Sequence, residues 1–211
     1  GKLVGRITID DVVDVIIEDA DEAVLARAGL DLDEDTFAPV RRSFRRRTIW
    51  LGINLITAFI AAAVINVFED TIAKVVALAV LMPIVASMGG IAGTQTLTLV
   101  IRGESLGHLG RGNRLWLVNR EFIIAVLNGL LWATLVAITA AVAFQDLSLG
   151  LVIATAMVVT IIVAAISGSL LPSILRQLNI DAAIAGGVIL TTITDVTGFF
   201  VFLGLASLVY A

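Results

Sequence analysis

The sequence contains no cysteine and only one histidine, His108. Without cysteine the chain can form no disulfide, no thiolate zinc site and no iron–sulfur cluster. A single histidine cannot supply a histidine-based metal triad. Any metal ion that this chain binds must therefore be held by oxygen ligands, which suit hard cations such as Mg²⁺ and Ca²⁺.

Charged residues are scarce and unevenly distributed. They make up 15% of the chain, whereas 59% of the residues are hydrophobic and the mean hydropathy is +1.03. A soluble domain is roughly 45–50% apolar and could not bury so much apolar side chain. Residues 1–40 hold eleven acidic and three basic residues, a net charge of −8. The composition predicts an acidic head on a body that contacts membrane lipid, and we expect no nucleic-acid partner.

Five apolar stretches follow the head, and each could cross about 30 Å of hydrocarbon as a helix. They are Thr48–Phe68, Ile72–Ile101, Leu115–Phe144, Leu149–Leu175 and Ala182–Tyr210. Pro83 and the nearby glycines predict that the second helix bends or breaks at a cavity. We therefore predict an all-α integral membrane protein with five transmembrane helices.

The basic residues predict the orientation of the chain. Ten of them lie before the first span, around the connection of the second and third spans, and after the fourth span. The opposite connections contain only one, Lys74. The positive-inside rule then places the N-terminus in the cytoplasm and the C-terminus outside the cell (inner) membrane. The first residues do not resemble a signal peptide, so we expect the chain to start inside a larger protein.

The head is predicted to contain a short strand, Leu3–Ile9, followed by an acidic helix, Asp10–Arg27. Five acidic residues recur at helical spacing on one side of this helix: Asp11, Asp14, Glu18, Asp21 and Glu22. A solvated acidic face is the simpler interpretation of such a pattern. However, closely spaced carboxylates repel one another, and a cytoplasmic divalent cation could bridge them.

Asp195 lies near the middle of the fifth span, where an ionised carboxylate costs about 2.5–3.5 kcal/mol. No basic residue in that span can pair with it. Helical steps from Asp195 reach small and hydroxylated residues, namely Gly187, Thr191, Thr192 and Gly198. The alternative interpretation is a protonated aspartate that is hydrogen-bonded between helices. One carboxylate is too little charge for a divalent cation, so two chains around a two-fold axis are the simplest way to complete a site.

The second span offers a complementary surface. One helical face carries Ser87, Gly90, Thr94 and Thr98, and Gly89 and Gly93 form a G-x-x-x-G step beside it. Close helix packing explains such glycines equally well. The polar run Thr94-Gln95-Thr96 is harder to explain by packing, and in a broken helix it could coordinate a cation or its water shell. Arg120, Glu121 and Asn128 are interpreted as interhelical hydrogen-bonding or gating residues.

Four segments resemble the bacterial MgtE magnesium channels. Residues 5–14 resemble the end of a CBS domain, residues 89–95 the second-span signature, and residues 181–187 and 194–199 the start and the ion site of the fifth span. Ile91 stands where many members have asparagine, and Gly187 where some have it. The resemblance implies that residues 1–47 end a cytoplasmic CBS domain and form an acidic connecting helix, and that residues 48–211 form the pore domain of a homodimer.

The resemblance also implies roles for individual residues. Asp195 would hold a hydrated Mg²⁺ ion, and Asp181 would lie at the inner mouth of the pore. Asp11, Asp14, Asp19 and Glu22 match the acidic region that senses Mg²⁺. The predicted pore lining comprises Gly187, Thr191, Thr192, Gly198, Gly90, Gly93, Thr94 and Gln95. Mg²⁺ would then be both the transported and the regulatory ion, without an organic cofactor, while passage of Mn²⁺, Co²⁺ or Ca²⁺ remains open.

We therefore predict a channel that passes hydrated Mg²⁺ at a homodimer axis. A secondary transporter coupled to H⁺ or Na⁺ is the alternative, because a lone intramembrane aspartate can carry a proton. An intramembrane protease would need a second acid, or a serine with a base, and His108 lies in a loop, so we expect no enzyme. A purely structural membrane subunit would leave Asp195 unexplained.

Overall fold

The computed structural model describes residues 5–15, 17, 37, 39–110 and 112–211, apart from the side chain of Arg46. The chain divides into two compact units, Gly1–Ile53 and Asn54–Ala211. Helix α1 covers residues 9–15 of the first unit. Helix α2, Val40–Val67, begins in the first unit and ends in the second.

The prediction of five membrane-spanning helices is confirmed. Within the described residues, five helices are long and apolar enough to span a bilayer. They are α2, α4 (Ala77–Ser105), α5 (Arg114–Phe144), α6 (Leu147–Gln177) and α7 (Ala182–Val209). A six-residue helix, α3 (Glu69–Lys74), lies between the first two spans. It moves the start of the second span to Ala77, five residues later than the sequence pattern suggested.

The predicted strand Leu3–Ile9 is not formed over its described residues. Residues 5–8 have no regular structure, and α1 begins at Ile9. Asp11 Oδ2 accepts hydrogen bonds from the Thr8 hydroxyl at 2.6 Å and from the Thr8 N–H at 2.7 Å. This arrangement caps a helix start, whereas a strand needs backbone partners that no described residue supplies. The predicted helix Asp10–Arg27 is helical at residues 10–15 and 17, and its remainder lies outside the described residues.

The predicted interruption of the second span is absent, because α4 continues from Ala77 to Ser105 with Pro83 inside it. Close packing explains Gly89 and Gly93 of this helix. A Cβ atom on Gly89 would lie 2.6 Å from Thr160 Cγ2, and one on Gly93 would lie 3.1 Å from the Leu190 side chain. The missing side chains therefore let α4 approach α6 and α7 closely.

Helix α6 forms the centre of the second unit. It packs against α4, α5 and α7, and 56% of its most apolar stretch is buried, compared with 33% or less for the other spans. The main core contains Ile153 and Met157 of α6 together with Leu78, Phe202 and Leu203. Helix α4 also packs along α7 but touches α5 only sparsely. A groove therefore remains between α4 and α5, with α6 as its floor.

Side-chain hydrogen bonds join the helices of the bundle at its two opposite ends. On one side, Glu104 at the end of α4 accepts hydrogen bonds from Arg114 at 2.5 Å and Arg176 at 2.7 Å, and this contact joins α4, α5 and α6. On the other, the Tyr210 hydroxyl after α7 donates to Asp146 Oδ2 at 2.5 Å. Asp146 also caps α6 by accepting from the Leu149 N–H.

Candidate functional site

Asp195 lies halfway along α7, about 20 Å along the helix axis from Asp181 at its N-terminal end. Its side chain is half-buried. It makes no hydrogen bond or ion pair with any described residue. A carboxylate at this depth is therefore left with its full hydrogen-bonding capacity.

The residues one turn before Asp195 present oxygen atoms beside it. The Thr191 hydroxyl donates to the carbonyl oxygens of Gly187 and Val188, at 3.1 and 3.0 Å. The Thr192 hydroxyl donates to the Val188 carbonyl oxygen at 2.7 Å. Because their protons point at the backbone of their own helix, both hydroxyl oxygens remain available as acceptors. Gly187 is open, since a Cβ atom there would meet nothing within 4 Å.

Gly198 and Gly93 are packed against neighbouring helices of the same chain. A Cβ atom on Gly198 would lie 3.2 Å from Val85 Cγ1 and 3.4 Å from Thr160 Cγ2. Gly93 packs against Leu190. Thr194, next to Asp195, is completely buried. The structure therefore places these two predicted pore-lining glycines in contacts between helices of one chain.

Gly90 and Thr94 share the open side of the α4–α7 pair with Asp195. The two helices run antiparallel and meet through Gly89 and Gly93 of α4. The next residue along each helix is rotated by about 100°, and in an antiparallel pair this rotation turns both helices toward the same side. Gly90 has nothing within 4 Å of an added Cβ atom, and Thr94 is exposed. Both are thus accessible on the face that carries Thr191 and Asp195.

Among the described residues, no three Asp, Glu, His or Cys side chains converge as a metal cluster. Asp181 is exposed, and its Oδ1 caps α7 by accepting from the Ala183 N–H at 2.8 Å. The pKa of Asp11 is lowered by the hydrogen bonds from Thr8. Asp14 is exposed on α1, while Asp19 and Glu22 lie outside the described residues. A divalent ion at Asp195 would therefore need carboxylates beyond those that one described chain brings together.

Gln95 belongs to a second polar region, which lines the groove between α4 and α5. There the buried Thr96 hydroxyl donates to Glu121 Oε2 at 3.1 Å, and Arg120 pairs with Glu121 Oε1 at 2.6 Å. The interhelical interpretation of Glu121 is confirmed by this bond. Asn128 lines the same groove but makes no hydrogen bond with the described residues. The groove itself was not predicted, because its two walls come from separate helices.

The described chain is thus a polytopic, all-helical membrane protein with an acidic residue at mid-membrane depth. Such residues are rare in membrane spans and mark pathways for ions or protons. The comparison with protein families agrees with that class. The model of the MgtE family, described as a divalent cation transporter, matches residues 82–205. This match covers more than half of the chain, and the chain belongs to the MgtE family.

Three curated relatives are each named magnesium transporter MgtE. The Bacillus subtilis protein is 38% identical over 207 residues, which are 97% of this chain and 46% of that protein. The Enterococcus faecalis protein is 30% identical over 206 residues, 98% of this chain and 45% of that protein. The Thermus thermophilus protein is 30% identical over 212 residues, 99% of this chain and 46% of that protein. The chain spans about half the length of these relatives.

Proposed function

We propose that this chain forms the membrane pore of a Mg²⁺ channel, in which Asp195 residues of two identical subunits hold one hydrated ion. The names of the three relatives support Mg²⁺ as the transported ion. The absence of cysteine and the single histidine support a site made of oxygen ligands. The distribution of basic residues supports a cytoplasmic N-terminus.

The observation that carries this proposal is the lack of a partner for Asp195. A structural aspartate within a span would be protonated and hydrogen-bonded to a neighbouring helix. The buried hydroxyl group of Thr96 does have such a partner, because it donates to Glu121 Oε2 of the neighbouring helix α5 at 3.1 Å. Asp195 has none among the described residues, so packing within one chain does not account for it. A bound cation would compensate its charge.

The surroundings of Asp195 suit a hydrated ion better than a bare one. Mg²⁺ loses its water slowly, and its sites usually keep several water molecules in the first shell. The hydroxyl oxygens of Thr191 and Thr192 can accept hydrogen bonds from such water molecules. The open backbone at Gly187 and Gly90 leaves room for them. Two Asp195 carboxylates would balance the ion's double charge, and this balance is the reason for a dimer.

The test is cation flux from liposomes that contain the purified chain, with Asp195→Asn compared with wild type. We expect this variant to lose Mg²⁺ flux by at least about tenfold, because both charges of the paired site disappear. Asp70→Asn is the matched control, since it removes the same charge from an exposed position of α3. Unchanged Mg²⁺ flux and unchanged selectivity over K⁺ in Asp195→Asn would contradict the proposed site.

The same liposomes separate a channel from a coupled transporter. With no gradient of H⁺ or Na⁺, a channel continues to conduct Mg²⁺ down its own gradient. An obligate exchanger does not, because the counter-ion has to move for each turnover. We expect wild-type flux to persist under these conditions, and its arrest would instead favour coupled transport.

A further inference from the structure

The groove between α4 and α5 has a volume of about 510 Å³ and is separate from the face that carries Asp195. Its apolar wall includes Met88, Ile91, Leu99 and Ile124, and Ile161 of α6 forms part of its floor. We propose that this groove, the α4–α5 groove, binds a membrane phospholipid. One acyl chain lies along the apolar wall, and the phosphate contacts Arg120.

The length and the open side of the groove suit an acyl chain. The lining of α4 runs from Met88 to Leu99, a rise of about 17 Å. Ile91 and Leu99 on this wall are exposed at the surface of the bundle. An extended hydrocarbon chain from the surrounding bilayer can therefore enter the groove from the side.

Polar groups are concentrated at one end of the groove. Gln95, Thr96, Arg120 and Glu121 lie at one level, because Thr96 and Glu121 share a hydrogen bond. Asn128 and Trp132 lie further along α5, toward the other end. The polar level is close to the connection of α4 and α5, where Arg102 and Arg114 are found. The apolar chain of a lipid would then extend from this level toward the bilayer centre.

The ion pair at the polar end favours an anionic headgroup over a cation. Glu121 is almost fully buried, with 7% of its side chain exposed, and its charge is balanced by Arg120. Arg120 is 46% exposed and uses one of its five N–H groups for Glu121. The remaining N–H groups have no partner among the described residues. A planar guanidinium presents such groups in pairs that match phosphate oxygens.

Photo-crosslinking tests this proposal on the full chain. The probe is phosphatidylglycerol with a diazirine on one acyl chain, diluted into phosphatidylcholine vesicles that hold the protein. We expect crosslinks to concentrate on Met88, Ile91 and Ile124, at about five times or more the level on Leu127 and Leu131. The latter two are exposed on α5 outside the groove and report lipid that surrounds the protein without a site. Even labelling of both sets would overturn the proposal.

Two comparisons separate a lipid site from other occupants. Diacylglycerol with the same diazirine chain lacks the phosphate, and we expect groove labelling to fall by about tenfold, the loss of a charge-assisted contact. Ala92→Leu fills the groove and should reduce labelling to the level of Leu127, whereas Ala79→Leu, exposed on the same helix, should not. Equal labelling by both probes would contradict the proposed contact between the lipid phosphate and Arg120. Crosslinks from groove residues to another protein segment would identify a helix as the occupant.

Discussion

The ion-pair network of Glu104 predicts that Glu104→Gln lowers the stability of the wild-type chain but raises the stability of a variant that lacks both arginines. Glu104 is 4% exposed, whereas 36% of the Arg114 side chain and 66% of the Arg176 side chain are exposed. Glu104→Gln removes the charge assistance of two hydrogen bonds but leaves both arginines access to water, so it should cost about 1–3 kcal/mol. Replacing both arginines by methionine instead leaves a buried carboxylate without a cation, at a cost of about 3–5 kcal/mol.

Adding Glu104→Gln to the double arginine variant should then recover stability, because it removes the uncompensated charge. The measurement is the apparent Tm in detergent for wild type and the three variants. At roughly 2–4 °C per kcal/mol for a chain of this size, the double variant should melt about 6–20 °C below wild type, and the triple variant should melt above the double. If Glu104→Gln lowers Tm in both backgrounds, the result would contradict our inference that Arg114 and Arg176 compensate the charge of the buried Glu104 carboxylate.

Three further predictions concern packing, assembly and pH. Gly168→Ala should cost about 1–3 kcal/mol, because its Cβ atom would lie 2.7 Å from the Gly93 carbonyl oxygen, whereas Gly52→Ala, with nothing within 4 Å, should not lower Tm. Mass measurement in lipid nanodiscs should find two chains per particle, and monomers alone would contradict the shared site at Asp195. Burial and the hydrogen bond to Asp146 raise the pKa of Tyr210 to about 12. Because Tyr210 is the only tyrosine, its absorbance titration should have a midpoint near 12 and a lower one in Asp146→Asn; an unchanged midpoint would contradict the contact. Its stabilising contribution is complete below pH 10 and is lost as the pH rises through about 12.

The sequence predicted those features that depend on local composition. The membrane spans could be predicted from the length of the apolar runs. Asp195 could be singled out as a candidate site residue because its own span contains no basic residue to pair with it. The role of the α4 glycines could not be predicted, because glycine permits both a break and a close approach. The choice depends on Thr160 and Leu190, which are distant in sequence. The contacts of Glu104 with Arg176 and of Tyr210 with Asp146 likewise join residues 72 and 64 positions apart. The ion-binding role of Asp195 stays a prediction.

Among the described residues, side-chain hydrogen bonds join α7 to the rest of the bundle only near its C-terminal end, while packing against α4 and α6 holds the rest of the helix. The Glu104 network joins α4, α5 and α6 but does not include α7, whereas Tyr210 attaches α7 to Asp146 at the opposite end. Asp195 lies about 22 Å along the axis from Tyr210, and Asp181 about 44 Å. If α7 pivots at Tyr210, any sideways displacement at Asp181 is transmitted to Asp195 at half its size. A movement of about 2 Å at the end of the helix would then shift the carboxylate by about 1 Å, which is comparable to the tolerance of a functional site.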